Sequence, residues 1–173
     1  MQKKKIIPLL VILIAGVFFA AVFLPTRKAI TFHHQQTGEL LSYIPVTNQN
    51  DFQLSYTHSI HRSEVIDYYE ITKENDIRQV ALEYEDTAIG MPSNALYEGE
   101  EFVVENGKYR IENMNRLFPE INLHTSQVVV SHVFHYDDHD YALHEYIDTG
   151  TFITISIKRL SLAELLRGVG MDD

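Results

Sequence analysis

Asp51-Phe-Gln-Leu-Ser-Tyr-Thr-His-Ser-Ile60 alternates apolar and polar residues with a period of two. Phe52, Leu54, Tyr56, His58 and Ile60 fall on one side, and Gln53, Ser55, Thr57 and Ser59 on the other. Successive side chains of an extended chain point to opposite faces, so this is the pattern of a strand with one face buried and one wet.

The same signature recurs downstream. Residues 64–72, with Val65, Tyr69 and Ile71, and residues 77–85 read as strands. Residues 101–105 and 108–113 flank Asn106-Gly107, a two-residue hairpin turn in which both positions need positive φ. Residues 126–136 carry apolar side chains on both faces (Val128, Val130 and Phe134 against Val129 and Val133), which predicts an interior strand. Residues 141–148 and 151–157, joined near Gly150, predict a closing hairpin, and residues 29–34 and 39–46 predict a pair near the start of the domain. Only Ser161-Leu-Ala-Glu164 signals a helix there, through a capping box with a stop at Gly168. The expectation is an all-β fold, an antiparallel β-sandwich or small barrel with one short C-terminal helix.

Upstream stands IIPLLVILIAGVFFAAVFL, which starts at Ile6, ends at Leu24 and carries no charge. As a helix it reaches roughly 28 Å, close to the hydrocarbon thickness of a bilayer. Pro8 falls in the first turn, where its missing N–H costs little. Lys3, Lys4 and Lys5 precede the run, and only Arg27 and Lys28 follow it. The positive-inside rule therefore predicts a single-pass protein of the cell membrane with a cytoplasmic N-terminus. A cleaved signal peptide fits less well, because Phe18 and Phe19 stand where an A-x-A-like site needs small residues. This reading divides the chain into a basic tip and anchor at 1–28 and an extracytoplasmic β domain at 29–173.

Charge and composition narrow the function classes. All 24 acidic residues lie after residue 28, facing nine basic ones there, a net charge of −15 for residues 29–173. Such a surface repels nucleic acid. The absence of cysteine excludes disulfides, thiolate metal sites and a Cys nucleophile. There is no G-x-S-x-G elbow, P-loop or dinucleotide fingerprint, so no cofactor is expected.

Nine histidines raise a metal hypothesis. His58 and His61, like His132 and His135, are three apart, which on a strand points them to opposite faces. A cross-strand pairing of His58 with His132 survives, beside the plainer reading of each as a buried histidine hydrogen-bonded to backbone. Asp138 and Asp140, in the dense run Asp137-Asp138-His139-Asp140, offer oxygen ligands for a hard cation. Counted from Asp138, Ala142 and Leu143 occupy the places where an EF-hand loop needs an oxygen ligand and glycine, so the run reads as a solvated turn. The segment Thr87-Ala-Ile-Gly-Met-Pro92, with Gly90 free in φ and Met91 held extended by Pro92, reads as an ordinary loop, with a rigid loop that shapes a binding site as the functional alternative.

Phe52-x-Leu54-x-Tyr56-Thr-His58-Ser59-Ile60, the acid-and-aromatic strand Asp67-Tyr68-Tyr69-Glu70, Gly90-Met-Pro92 and Gly107-Lys-Tyr109 together resemble the bacterial domain-of-unknown-function family 1850. The likeness covers roughly residues 51–157. Ala88-Ile89 departs from it, standing where small residues are expected before Gly90. The resemblance implies a small exported protein of no established activity, of a kind often encoded beside TAXI-class TRAP transporters. It carries over onto His58, Ser59, Gly90 and Pro92, and onto Asp67 and Glu70, as ligand- or partner-binding positions. The leading expectation is a non-enzymatic, membrane-tethered binding domain whose partner is a transporter membrane subunit or solute-binding protein. The alternatives are a cation-binding module on His58, His132, Asp138 and Asp140, and a hydrolase with His58 as general base.

Overall fold

The computed structural model describes residues 3–58, 62–85 and 90–171, with side chains from Leu10 onward. In chain order a helix, α1 (Lys3–Phe23), leads into β1 (Arg27–His34), β2 (Leu40–Pro45), β3 (Asp51–Thr57), β4 (Glu64–Ile71) and β5 (Ile77–Tyr84). Then come β6 (Glu101–Glu105), β7 (Lys108–Glu112), β8 (Arg116–Phe118), β9 (Ile121–His124), β10 (Val133–Tyr136) and β11 (His139–Ala142). A 3-10 turn (Leu143–Glu145), β12 (Phe152–Leu160), the one-turn α2 (Leu162–Leu165) and β13 (Val169–Gly170) complete the order.

The strands form two sheets. One has the order β13-β2-β1-β12-β9, and the larger runs β11-β10-β3-β4-β5-β7-β6, with β8 paired to β5. The pairings are antiparallel apart from β13 on β2. The sheets pack face to face as a β-sandwich. Their inner faces supply Ile30, Phe32, Ile44, Ile153 and Ile155 from one side, and Phe52, Leu54, Tyr69 and Phe134 from the other. Phe134 stacks on Phe52 at 4.9 Å and meets Phe32 edge-on at 5.3 Å, so the ring contacts cross from sheet to sheet.

The alternation in 51–57 behaves as read. Phe52 and Leu54 are buried in this core, and Tyr56 packs on a second cluster of Val65, Leu82, Tyr84, Ile111 and Met114. Asn106 and Gly107 take φ of 53° and 82° between β6 and β7, as the hairpin signal requires. Ser161 caps α2 with a complete capping box: its Oγ accepts the Glu164 N–H, and the Glu164 carboxylate accepts the Ser161 N–H at 2.8 Å. Ser161→Ala should lower the unfolding free energy by about 1 kcal/mol in chemical denaturation, the usual value of an N-cap.

Two expectations need correction. Residues 126–132 are not strand. Ser126 Oγ accepts the N–H groups of Val128 and Val129, which turns the chain and leaves Val128 92% exposed. Residues 141–157 do not close a hairpin, because β11 and β12 lie in different sheets and β12 pairs with β1 and β9. The N-terminal run is helical, but among the described residues no helix is long and apolar enough to cross a membrane.

Candidate functional site

The larger sheet extends past the core it shares with its partner. The second cluster draws its buried members from β4, β5, β7 and Met114, with Tyr56, Met91, Phe102 and Tyr109 around them. In place of a facing sheet, the segment 90–100 contributes to its cover: Met91 packs against it, and the Tyr84 hydroxyl donates to the Pro92 carbonyl.

Where the two clusters meet, the inner face carries a carboxylate. Asp67 stands between Leu54 of β3 and Leu82 of β5 in the ladder. It is half-buried, and its Oδ1 accepts from Gln79 Nε2 at 2.6 Å. Desolvation pushes its pKa up to about 6, against the opposing pull of the Gln79 hydrogen bond and the Arg116 charge. Tyr56 and Tyr69 feel the same environment. Burial first, then the Asp67 charge, moves the Tyr56 phenol to about 12 and raises Tyr69 as well.

Arg116 of β8 lies opposite Gln79. Its Nε and Nη2 both donate to Glu100 Oε1, at 3.1 and 2.8 Å, and its guanidinium sits 4.7 Å above the Tyr97 ring. The other oxygen of Glu100 accepts the Leu96 and Tyr97 amides at 3.1 and 3.2 Å. The Glu100 side chain is only 3% exposed. Burial alone would raise its pKa, but the hydrogen bonds from Leu96, Arg116 and Tyr97 outweigh that and hold it low. This latch ties the far end of the 90–100 segment to β8 through the two Arg116 bonds, while the two amide bonds fold the segment onto Glu100.

His58 follows β3 and is half-buried. Its Nε2 lies 3.8 Å from where a Cβ on Gly90 would stand, and Gly90 has a φ of +100°. The histidine and the glycine–proline turn therefore meet. His132 stacks on Tyr56 at 5.7 Å, and burial, with a smaller contribution from His124, lowers its pKa. Ser59 lies outside the described residues.

The expected positions divide accordingly. His58, Gly90, Pro92 and Asp67 belong to the strapped end of the larger sheet. Glu70 does not: three residues from Asp67, it faces the other way, pairs with Arg78 at 2.5 Å and lines an open groove with Asp51 and Glu74. Asp138 and Asp140 also stand apart, at the β10–β11 turn. From His132 to Asp138 the chain rises about 20 Å at strand spacing. Among the described residues no group of three or more His, Asp or Glu is placed to hold one metal ion. Asp137 and Asp138, with φ of 52° and 61°, form the turn that their run suggested.

A serine–histidine–aspartate chain occurs elsewhere: Ser55 Oγ lies 2.8 Å from His135 Nε2, and His135 Nδ1 lies 2.6 Å from Asp140. It sits on the outer face of β3 and β10, where the ladder engages the strand backbones, and Ser55 is buried within it. Linking neighbouring strands through their side chains, it acts as a cross-strand staple.

Gln79, Glu100, Arg116 and Tyr97 were not foreseen. The available signal was Arg116 in an apolar three-residue setting, too short for periodicity to read. No curated protein and no solved structure matches the chain. The family described as Domain of unknown function (DUF1850) matches residues 52–143, which run from the first core aromatic of β3 through the strapped end to Leu143. That stretch is more than half of the chain, and the protein belongs to this family.

Proposed function

We infer that the chain is a membrane-tethered, extracytoplasmic binding domain, an auxiliary component of a TRAP-type solute transporter of the TAXI class. The observation that carries the binding reading is Asp67, a carboxylate held among Tyr56, Tyr69 and Leu82 with a neutral amide as its hydrogen-bond partner. Burying such a group costs stability, and that cost is characteristic of positions kept for recognition.

The tethering reading rests on the uncharged run from Ile6 to Leu24 and the lysines before it. The wide exposure of Leu10, Ile12, Ile14, Val17, Phe18 and Leu24 fits it, since these apolar side chains find no cover on the β domain. Thr26 and Arg27 follow directly into β1, so the domain sits against its anchor.

The test uses the full chain in cells, with a photo-crosslinking amino acid at Leu96 or Tyr97, both exposed on the 90–100 segment. Alkaline carbonate should leave the protein in the membrane pellet, and the crosslinked partner should be a transporter membrane subunit or its solute-binding protein. Release into the supernatant would overturn the tether. Crosslinks that never include a transporter component would overturn the auxiliary role.

A further inference from the structure

We propose that residues 90–100 form a lid over a small-molecule site anchored on Asp67, and that this site takes a ligand carrying a protonated amine. The inference deepens the binding reading above and depends on it.

The ligand class follows from local charge and wall chemistry. Arg116 is the cation acting on Asp67, and its Nε and Nη2 already donate to Glu100. When ionised, Asp67, Glu100 and Arg116 together carry one net negative charge between sheet and strap. A carboxylate whose own partner is an amide offers an ammonium ion a counter-charge and a charge-assisted hydrogen bond. A carboxylate-bearing ligand would meet the opposite: Asp67 repels it, and Glu100 already occupies the guanidinium.

The lid follows from how the segment is held. It contains no helix or strand, and Ser93, Asn94, Leu96, Tyr97 and Glu98 are exposed. Among the described residues its attachments include the Tyr84–Pro92 hydrogen bond, the packing of Met91, the Glu100 latch and the Arg116 guanidinium over Tyr97. Segments with few buried contacts and a small number of discrete ties open locally at low free energy. Opening at the latch would uncover the inner face beside Asp67 without disturbing the sandwich core, whose rings belong to the other cluster.

The experiment uses the full chain in nanodiscs, with n-butylammonium chloride as probe, n-butanol as its neutral counterpart and potassium chloride matched for ionic strength. Butylammonium at tens of millimolar should raise the melting temperature by a few degrees at neutral pH, because it binds the folded state selectively. Butanol and potassium chloride should not. The rise should vanish in Asp67→Asn. Hydrogen exchange at the Leu96 and Tyr97 amides should be slowed by butylammonium and accelerated at least tenfold in Glu100→Gln. An equal response from Asp67→Asn, or from butanol, would overturn the site. Unchanged exchange in Glu100→Gln would overturn the lid. Neither result bears on carbonate extraction or crosslinking, so failure here is distinguishable from failure of the tethered, auxiliary role.

Discussion

Arg116→Ala should destabilise the domain by about 3 kcal/mol, the usual consequence of removing one partner from a buried ion pair. The reason lies in the partner left behind. Glu100 is 3% exposed and loses both guanidinium hydrogen bonds at once, keeping only two amide donors. An ionised carboxylate cannot stay there uncompensated, so it either takes up a proton or drags the strap into solvent. Arg116→Ala/Glu100→Gln should recover most of the loss, because the amide keeps the turn contacts without the charge. Equilibrium denaturation of wild type, both single variants and the double variant measures the coupling directly. If the double variant is no more stable than Arg116→Ala, the loss comes from the Tyr97 stacking or from β8 itself, and the latch is not an energetic unit.

The latch also marks where the sequence stops being readable. The strand at 51–57 could be read because one face of it is wet, and burial on the other imposes alternation on Phe52, Leu54 and Tyr56. The hairpin at Asn106-Gly107 could be read because its geometry is local and demands residues that tolerate positive φ. Those features placed the all-β fold and most strand boundaries. Strand partners were another matter. β12 pairs with β1 across more than a hundred residues, and no local pattern records that choice, so a hairpin between neighbours was the wrong expectation. The valines at 128–130 misled for a related reason: hydrophobicity was read as burial, whereas Ser126 bends the chain and leaves Val128 in water.

For the site, the sequence brought His58, Asp67, Gly90 and Pro92 forward through a family likeness, and the structure brings His58 and Gly90 into contact near the Asp67 face. Glu70 came with them through the same likeness, and its three-residue offset from Asp67 was itself the sign that the two face apart. The polar partners Gln79, Arg116 and Glu100 derive their roles from tertiary pairing, on β5, β8 and the strap, and each alone looks like ordinary surface polarity in the sequence.

Asp67→Asn should make the protein more stable at about pH 7.5, not less. The folded state raises this carboxyl from 3.8 to about 6, so folding favours its protonated form. A raised acid binds its proton more tightly folded than unfolded. Its contribution is therefore most favourable below the unfolded pKa and is lost as pH rises through the folded one. At 1.36 kcal/mol per pKa unit the wild type forfeits at most roughly 3 kcal/mol between about pH 4 and 6, and partial exposure of the group reduces this to about 1–2 kcal/mol. Asparagine has no charge to desolvate and still offers an oxygen to Gln79. The variant should thus exceed wild type by about 1–2 kcal/mol at pH 7.5 and converge with it near pH 4, in urea melts run at both values. A pH-independent difference between the two proteins would mean that Asp67 is not held against its own ionisation. The predicted stabilisation has a functional corollary. A residue that a single amide substitution would stabilise is retained as a carboxylate at a cost to the fold, and the energy withheld from folding becomes available to whatever cation neutralises it.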